Sequence, residues 1–268
     1  MEHSKEYILR YQRQITLNGF GIVAQEKLTN AKVLVIGAGG LGCPVLQYLV
    51  AAGVGTIGIV DKDQVALSNL NRQVLFGQAD VGQNKANVAA VKLSALNDLV
   101  KIEAYQQNCD QAFAIVHFPN YDIIVDATDN FATRYLINDA CVLLDKPLVF
   151  GAVSQYEGQV AVFNVMKGAH ALSYRDLFPV PPKAGEVLSC ADGGVLGVLP
   201  GMIGVMQAIE VIKIIVGIGN VLANQMLIYN ALSNTNYIMQ LEKHKDSTGQ
   251  IPSSIEDFMK INYESLCQ

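Results

Sequence analysis

The residues best placed to do chemistry lie in three short segments. Gly37 to Gly42 reads GAGGLG, a G-x-G-x-x-G pattern set between the β-branched run VLVIG (Val33 to Gly37) and a helix-like segment, Cys43 to Ala52. Glycines let the backbone come close to a phosphate, and the N-terminus of the following helix offers N–H donors and the positive end of a dipole. Asp61 ends the next strand-like run, TIGIVD, where a carboxylate can accept hydrogen bonds from ribose hydroxyls. Without a ligand the glycines would make only a tight turn; with one, the pattern alone favours a nicotinamide-dependent oxidoreductase. The segment after Asp61, DKDQVALSNLNRQVLF, points elsewhere. A triphosphate carries about four negative charges and needs cations beside them. Asn69, Arg72 and Lys85 form such a set when taken together, in a chain whose only arginines are Arg10, Arg13, Arg72, Arg134 and Arg175. Taken alone, Lys85 reads as a solvated lysine opening a helix, a position the helix dipole disfavours for a cation. The third segment is DATDN, Asp126 to Asn130, after the buried-strand run YDIIV. A carboxylate there could hold Mg²⁺ on nucleotide phosphates, or Asp129 could cap the helix expected from Phe131.

These segments need a scaffold that brings them together. Residues 5 to 30 are expected to form one or two amphipathic helices broken at Asn18-Gly19. Strand, glycine loop, helix and strand then follow as one βαβ unit. Helix is expected over Lys85 to Leu96, with Val88, Val91, Leu93 and Ala95 available for a buried stripe. Further strands are expected at Lys101 to Tyr105, Tyr121 to Ala127 and Pro147 to Phe150, with a helix over Phe131 to Leu144. This alternation argues an α/β fold with a doubly wound, mostly parallel sheet. After Gly151 the pattern changes: Gly158 to Asn164 alternates like an antiparallel strand, residues 170 to 194 read as a long loop, and Gly201 to Val216 as an apolar helix. Two more strands are expected at Met226 to Tyr229 and Thr235 to Leu241, then a polar tail with a short helix over Ser253 to Met259. The 268 residues suit one domain, with a helical arm (1–30), a nucleotide-binding half (31–150), a second half (151–241) and a tail (242–268).

Composition removes other classes. Hydrophobic residues reach 51% and charged residues only 16%, which raises the question of a membrane protein. The uncharged run from Val33 to Val60 is long enough to span a bilayer, but its glycines and Pro44 break it into short pieces. The excess of apolar residues is better explained by parallel strands covered on both faces. The N-terminus lacks the apolar core of a secretion signal. Five cysteines, an odd number without C-x-x-C spacing, argue against a disulfide framework, so a cytoplasmic location is expected. Net charge is −5 with no basic block, so no nucleic-acid partner is expected.

Taken in order, RYQRQ (Arg10 to Gln14), GAGGLG, DKDQVALSNLNRQ, VGQNKA, DATDNFATRYLIND and CADGGVLGVLPG (Cys190 to Gly201) resemble the MoeB/ThiF/HesA family, adenylyltransferases related to ubiquitin-activating enzymes. The resemblance covers residues 8 to about 240 and implies a Rossmann-like sheet continuing into antiparallel strands. It also implies a homodimer that uses MgATP to adenylylate the C-terminal carboxylate of a ubiquitin-like sulfur carrier protein ending in Gly-Gly, for thiamine or molybdopterin synthesis. A cysteine desulfurase or rhodanese-type protein would be the sulfur donor. By the same resemblance Gly39, Gly40 and Gly42 form the ATP loop, and Asp61 binds the ribose. Asn69, Arg72 and Lys85 contact the phosphates, with Asp63, Gln73 and Asn130 completing the nucleotide set. Arg13 reaches the γ-phosphate from the neighbouring subunit, and Asp129 ligates Mg²⁺. Cys190 matches a position linked to sulfur transfer in some members and dispensable in others; both readings stand.

One departure from the family concerns zinc, which its members hold with two C-x-x-C pairs. Here the first pair is replaced by Ser173-Tyr174-Arg175-Asp176, and the tail has only Cys267, so no zinc is expected. Alternatives within and outside the family are a small-molecule or tRNA carboxylate as acceptor, an inactive partner subunit, and the oxidoreductase, beside which no catalytic histidine or lysine constellation stands.

Overall fold

Alternating side chains along each central strand go to opposite faces, and both faces are buried. Val33 and Val35 of β1 (Lys32–Ile36) join one apolar cluster, Leu34 and Ile36 the other. The same division holds in β2 (Thr56–Val60), β4 (Ile123–Asp126) and β5 (Leu148–Ser154). This is why these strands read as unbroken apolar runs. The computed structural model describes residues 3–165, 171–182, 193–243 and 251–266. With β3 (Lys101–Tyr105), β6 (Glu157–Phe163), β7 (Gln225–Asn230) and β8 (Thr235–Gln240), these strands form one sheet in the order β3-β2-β1-β4-β5-β6-β7-β8. Pairing is parallel from β3 through β5 and antiparallel from β5 through β8.

The first face is covered by α2 (Gly21–Asn30), α3 (Gly42–Ala52), α4 (Lys85–Leu96) and α8 (Leu199–Val216). Ahead of them α1 (Lys5–Ile15) is capped by Ser4, whose Oγ accepts the Tyr7 N–H at 3.1 Å. The second face carries α5 (Gln111–His117), α6 (Phe131–Leu143), α7 (Tyr174–Leu177), α9 (Ile255–Lys260) and α10 (Tyr263–Leu266). α8 is long and apolar enough to cross a membrane, but here it packs against α3, β5 and β6. Its approach to α3 is close: a Cβ on Gly204 would lie 2.4 Å from the Leu41 carbonyl oxygen.

Several expectations need correction. Val91 and Ala95 are exposed; the buried side of α4 is Lys85, Ala86, Val88, Ala89 and Leu93, a stripe at helical spacing. β5 runs on to Ser154, because β6 pairs with it residue by residue through Gly151 and Ala152. α8 begins at Leu199, two positions earlier, with Pro200 in its first turn. The expected loop at 170–194 contains the short helix α7, while its residues 183–192 and 170 lie outside the described set.

Candidate active site

The chain leaves β1 toward β2 and β3 on one side and later fills β4 and β5 on the other. At such a switch point the loops after the strands diverge and leave a crevice. Ile36, Val60 and Asp126 are level in register, so Gly37, Asp61 and Ala127 open onto the same cleft.

The glycine loop forms its floor. Gly37 has φ +98°, and a Cβ there would lie 2.7 Å from the Ala127 carbonyl oxygen. Gly39 and Gly40 line the cleft. Gly42 does not: it is the first residue of α3, and a Cβ on it would sit 1.9 Å from the Gly37 carbonyl oxygen. Its work is to let α3 pack tightly against the end of β1, so within the expected ATP loop it supports the backbone while Gly39 and Gly40 face the cleft.

The charged groups stand around this floor. Asp61 accepts hydrogen bonds from the backbone N–H groups of Ala38 and Asp63, both at 2.8 Å. Burial pushes its carboxyl above the usual range, and the Ala38 N–H and nearby Lys85 counteract this. Lys85 is the first residue of α4 and is only 6% exposed, so it is not the solvated lysine its spacing suggested. Its Nζ lies 3.3 Å from Asp63 Oδ2, and its N–H donates to the Asp63 carbonyl at 2.9 Å. Asp63 thus acts as the tether of Lys85 at the cleft wall. Arg72 also lines the cleft, its Nη1 donating to the Ser68 carbonyl at 2.9 Å. Gln73 is 4% exposed, and its Oε1 has no hydrogen-bond partner among the described residues. A buried orphan acceptor at a cleft wall fits a group whose partner arrives with a ligand.

The two aspartates of DATDN divide their work. Asp126 is fully buried: Oδ1 accepts from Thr128 N–H (2.9 Å) and Oγ1 (2.6 Å), while Oδ2 pairs with Arg134 Nε at 3.4 Å. Asp129 is exposed at the cleft, and it does not cap α6. That cap is Asn130, whose Oδ1 accepts the Thr133 N–H at 2.8 Å. Asn130 lines the rim with this oxygen committed to the helix.

Two expected residues lie apart from the cleft. Asn69 is outside its lining, because its Oδ1 turns back to accept the Ala66 N–H at 3.1 Å. Arg13 is exposed on α1, beside a different hollow formed with Tyr48 and Ile209. Cys190 and Cys267 lie outside the described residues, whereas Cys43, Cys109 and Cys141 are buried packing residues.

Motif reading missed Arg134 and the chamber it borders. Past Asp129, Arg134 and Val153 the cleft continues into a second hollow of about 300 Å³ walled by Phe131, Tyr135, Phe150, Tyr174 and Phe178. The Arg134 guanidinium faces the Phe150 ring at 4.9 Å and the Phe131 ring at 5.5 Å, and donates to the Thr128 carbonyl at 3.2 Å. The scarcity of arginine was the one available signal; Phe131 is a neighbour on the same helix, but the other ring partners, Phe150 and Tyr174, lie on β5 and α7.

The donor chemistry separates two metals. Asp129 offers hard carboxylate oxygens, which fit Mg²⁺ held jointly by a carboxylate and substrate phosphates. No cluster of three His, Cys, Asp or Glu able to hold a metal occurs among the described residues. The residues replacing the family's first zinc pair do not fit that ion. Ser173 N–H and Oγ both donate to Asp176 Oδ2, at 2.8 and 3.1 Å, and a buried arginine, Arg175, stands between them in sequence. Thiolates are absent from this segment, and the arginine's positive charge opposes a second cation.

Comparison with known proteins agrees with this geometry. A model of the ThiF family matches residues 11–250. A Thermus thermophilus protein named sulfur carrier protein adenylyltransferase is 48% identical over 100% of this chain and 99% of its own. The Mycobacterium tuberculosis probable adenylyltransferase/sulfurtransferase MoeZ is 44% identical over 98% of this chain, which spans 66% of that longer protein. The structure of E. coli MccB with ATP superposes with a TM-score of 0.77, covering 90% of this chain and 75% of that one, at 23% identity, a likeness of fold. With the family model matching from α1 into the tail and a full-length relative at nearly half identity, this chain belongs to the ThiF family.

Proposed function

We propose that this chain, an adenylyltransferase, joins AMP from MgATP to the C-terminal carboxylate of a small sulfur carrier protein and releases pyrophosphate. One observation carries the reading: a cleft holding Gly39, Gly40, Arg72, Lys85 and Asp129 shares Asp129, Arg134 and Val153 with an adjoining aromatic-walled chamber. A nucleotide suits the first compartment, and the thin end of a peptide chain suits the second. The name of the Thermus thermophilus relative supports a carrier protein as acceptor.

The chemistry follows from charge. A carboxylate oxygen attacks the α-phosphorus, the bond from that phosphorus to the bridging oxygen breaks, and pyrophosphate leaves with the electron pair. The acceptor is already ionised at pH 7, so no side-chain general base is required. Both reactants are anions, and Arg72 and Lys85 offset their repulsion and the charge that builds on the leaving group. Asp63 holds Lys85 at the wall before substrate arrives. Asp129 would hold Mg²⁺ on the phosphates, and the ion supplies further charge neutralisation there. Arg134, tied to Asp126 and lining both the cleft and the chamber, would meet the acceptor carboxylate on this reading. The chain acts as a homodimer in the cytoplasm, with Arg13 crossing to the partner's site, and the product feeds sulfur incorporation into thiamine or molybdopterin.

The test is to incubate the protein with MgATP and candidate carriers, weigh the carriers for an added AMP, and follow carrier-dependent ATP–pyrophosphate exchange. Arg72→Ala and Asp129→Ala are each expected to lower exchange by about 10²–10³-fold while circular dichroism remains that of the parent. Normal exchange in both variants would exclude this site.

A further inference from the structure

On the second face of the sheet, away from the nucleotide cleft, one buried carboxylate ties three elements together. Asp139 of α6 is fully buried and accepts four hydrogen bonds. Arg175 of α7 supplies two, Nε to Oδ1 at 2.7 Å and Nη2 to Oδ2 at 2.8 Å. Tyr263 of α10 donates its hydroxyl to Oδ2 at 2.8 Å, and Asn138 Nδ2 donates to Oδ1 at 3.0 Å. Asn138 Oδ1 in turn accepts the Tyr174 N–H at 2.7 Å. A buried charge pair with its hydrogen bonds satisfied is geometrically exacting, so it fixes α7 and the tail relative to α6.

The same elements make the chamber wall. The Arg175 guanidinium lies 4.8 Å from the centre of the Tyr135 ring, and Tyr135 lines the chamber. Tyr135 donates its hydroxyl to the Phe178 carbonyl at 2.9 Å and packs edge-on against Tyr174 at 5.1 Å. Tyr174 and Phe178, 5.0 Å apart, are wall residues as well. A chain of contacts therefore runs from the tail through Asp139 and Arg175 to the surface the acceptor would touch.

We propose that Asp139, Arg175 and Tyr263 form a metal-free clasp that positions the aromatic wall of the acceptor chamber, so that Arg175 and Tyr263 set affinity for the carrier's C-terminus without touching it. The proposal rests on the chamber being the acceptor site. Arg175 lies in the Ser173–Asp176 segment, and its ion pair with Asp139 supplies the cross-link there.

The discriminating variant is Tyr263→Phe in the full chain, which removes one hydrogen bond and keeps the ring. The expected result is a rise of about fivefold in KM for the carrier, with KM for ATP and kcat unchanged. Faster amide hydrogen exchange is expected over residues 174–178, with exchange over 37–42 unaltered. Equal increases in both KM values, or unchanged exchange over 174–178, would overturn the proposal. Altered exchange there in a protein whose parent adenylylates no carrier would instead refute the acceptor, leaving the link from clasp to wall intact. Arg175→Met strands the Asp139 carboxylate and is expected to lower Tm by roughly 10 °C; Asp139→Leu added to it is expected to restore most of that loss, and no restoration would count against a paired clasp. Elemental analysis of purified protein is expected to find no stoichiometric zinc, and one zinc per chain would overturn the metal-free reading.

Discussion

At the residue scale, Lys85 shows how a site departs from local rules. A cation in the first turn of a helix opposes the dipole, and burying it costs more unless it is paired. Asp63 pairs it on one side, and the cleft leaves the other side open to phosphate. The local conflict was visible in the sequence, but its resolution was not, because burial of Lys85 depends on β2 and the loop after it. The cysteines make the opposite case. Burial pushes the Cys43 thiol up to about 12, and Cys109 and Cys141 are also raised by burial. Thiolate is the reactive form, so iodoacetamide at pH 8 is expected to leave these three unmodified in the native chain and to label them in urea. Labelling of Cys43 in the native protein, read by peptide mass, would contradict its packing role.

At the element scale, two glycines of one motif have different jobs. A methyl group on Gly42 would collide with the Gly37 carbonyl oxygen, whereas one on Gly39 would meet only Gln73 Nε2 at 3.8 Å. Gly42→Ala is therefore expected to destabilise the fold by about 2–3 kcal/mol, read as a fall in denaturant midpoint. Gly39→Ala is expected to keep that midpoint and raise KM for ATP, because its side chain points into the cleft. Equal stability of the two variants would sink this division. Elements with a strong local signal were legible in the sequence: the β-branched strands, the glycine loop and α4 from Lys85 to Leu96. β5 was cut short because Gly151 and Ala152 are weak strand formers, and only pairing with β6 keeps them extended.

At the scale of the whole molecule, the position of Arg13 separates what one chain supplies from what two must share. It lies on α1 beside Tyr48 and Ile209, both exposed, and away from its own chain's cleft. If it serves the partner's site, mixing Arg13→Ala with Lys85→Ala subunits restores one intact site in each heterodimer, and about a quarter of parent activity is expected after random exchange of subunits in a symmetric dimer. No recovery, with heterodimers shown by mass spectrometry, would exclude action across subunits.

The sequence alone determined the succession of strands, the longer helices, the glycine loop and the cationic character of the segments around it, while α5 and α7 escaped it. Those signals come from residues close together in the chain, where β-branched runs, glycine spacing and caps act through their neighbours. The tertiary structure decided which charges are buried, that Asp126 is structural while Asp129 is open, and that Gly42 supports the loop without lining the cleft. It also joined Arg134, Tyr174 and Phe178 in one chamber and brought Tyr263 of the tail onto Asp139. Burial and proximity of this kind depend on groups far apart in the chain, and no local spacing encodes them.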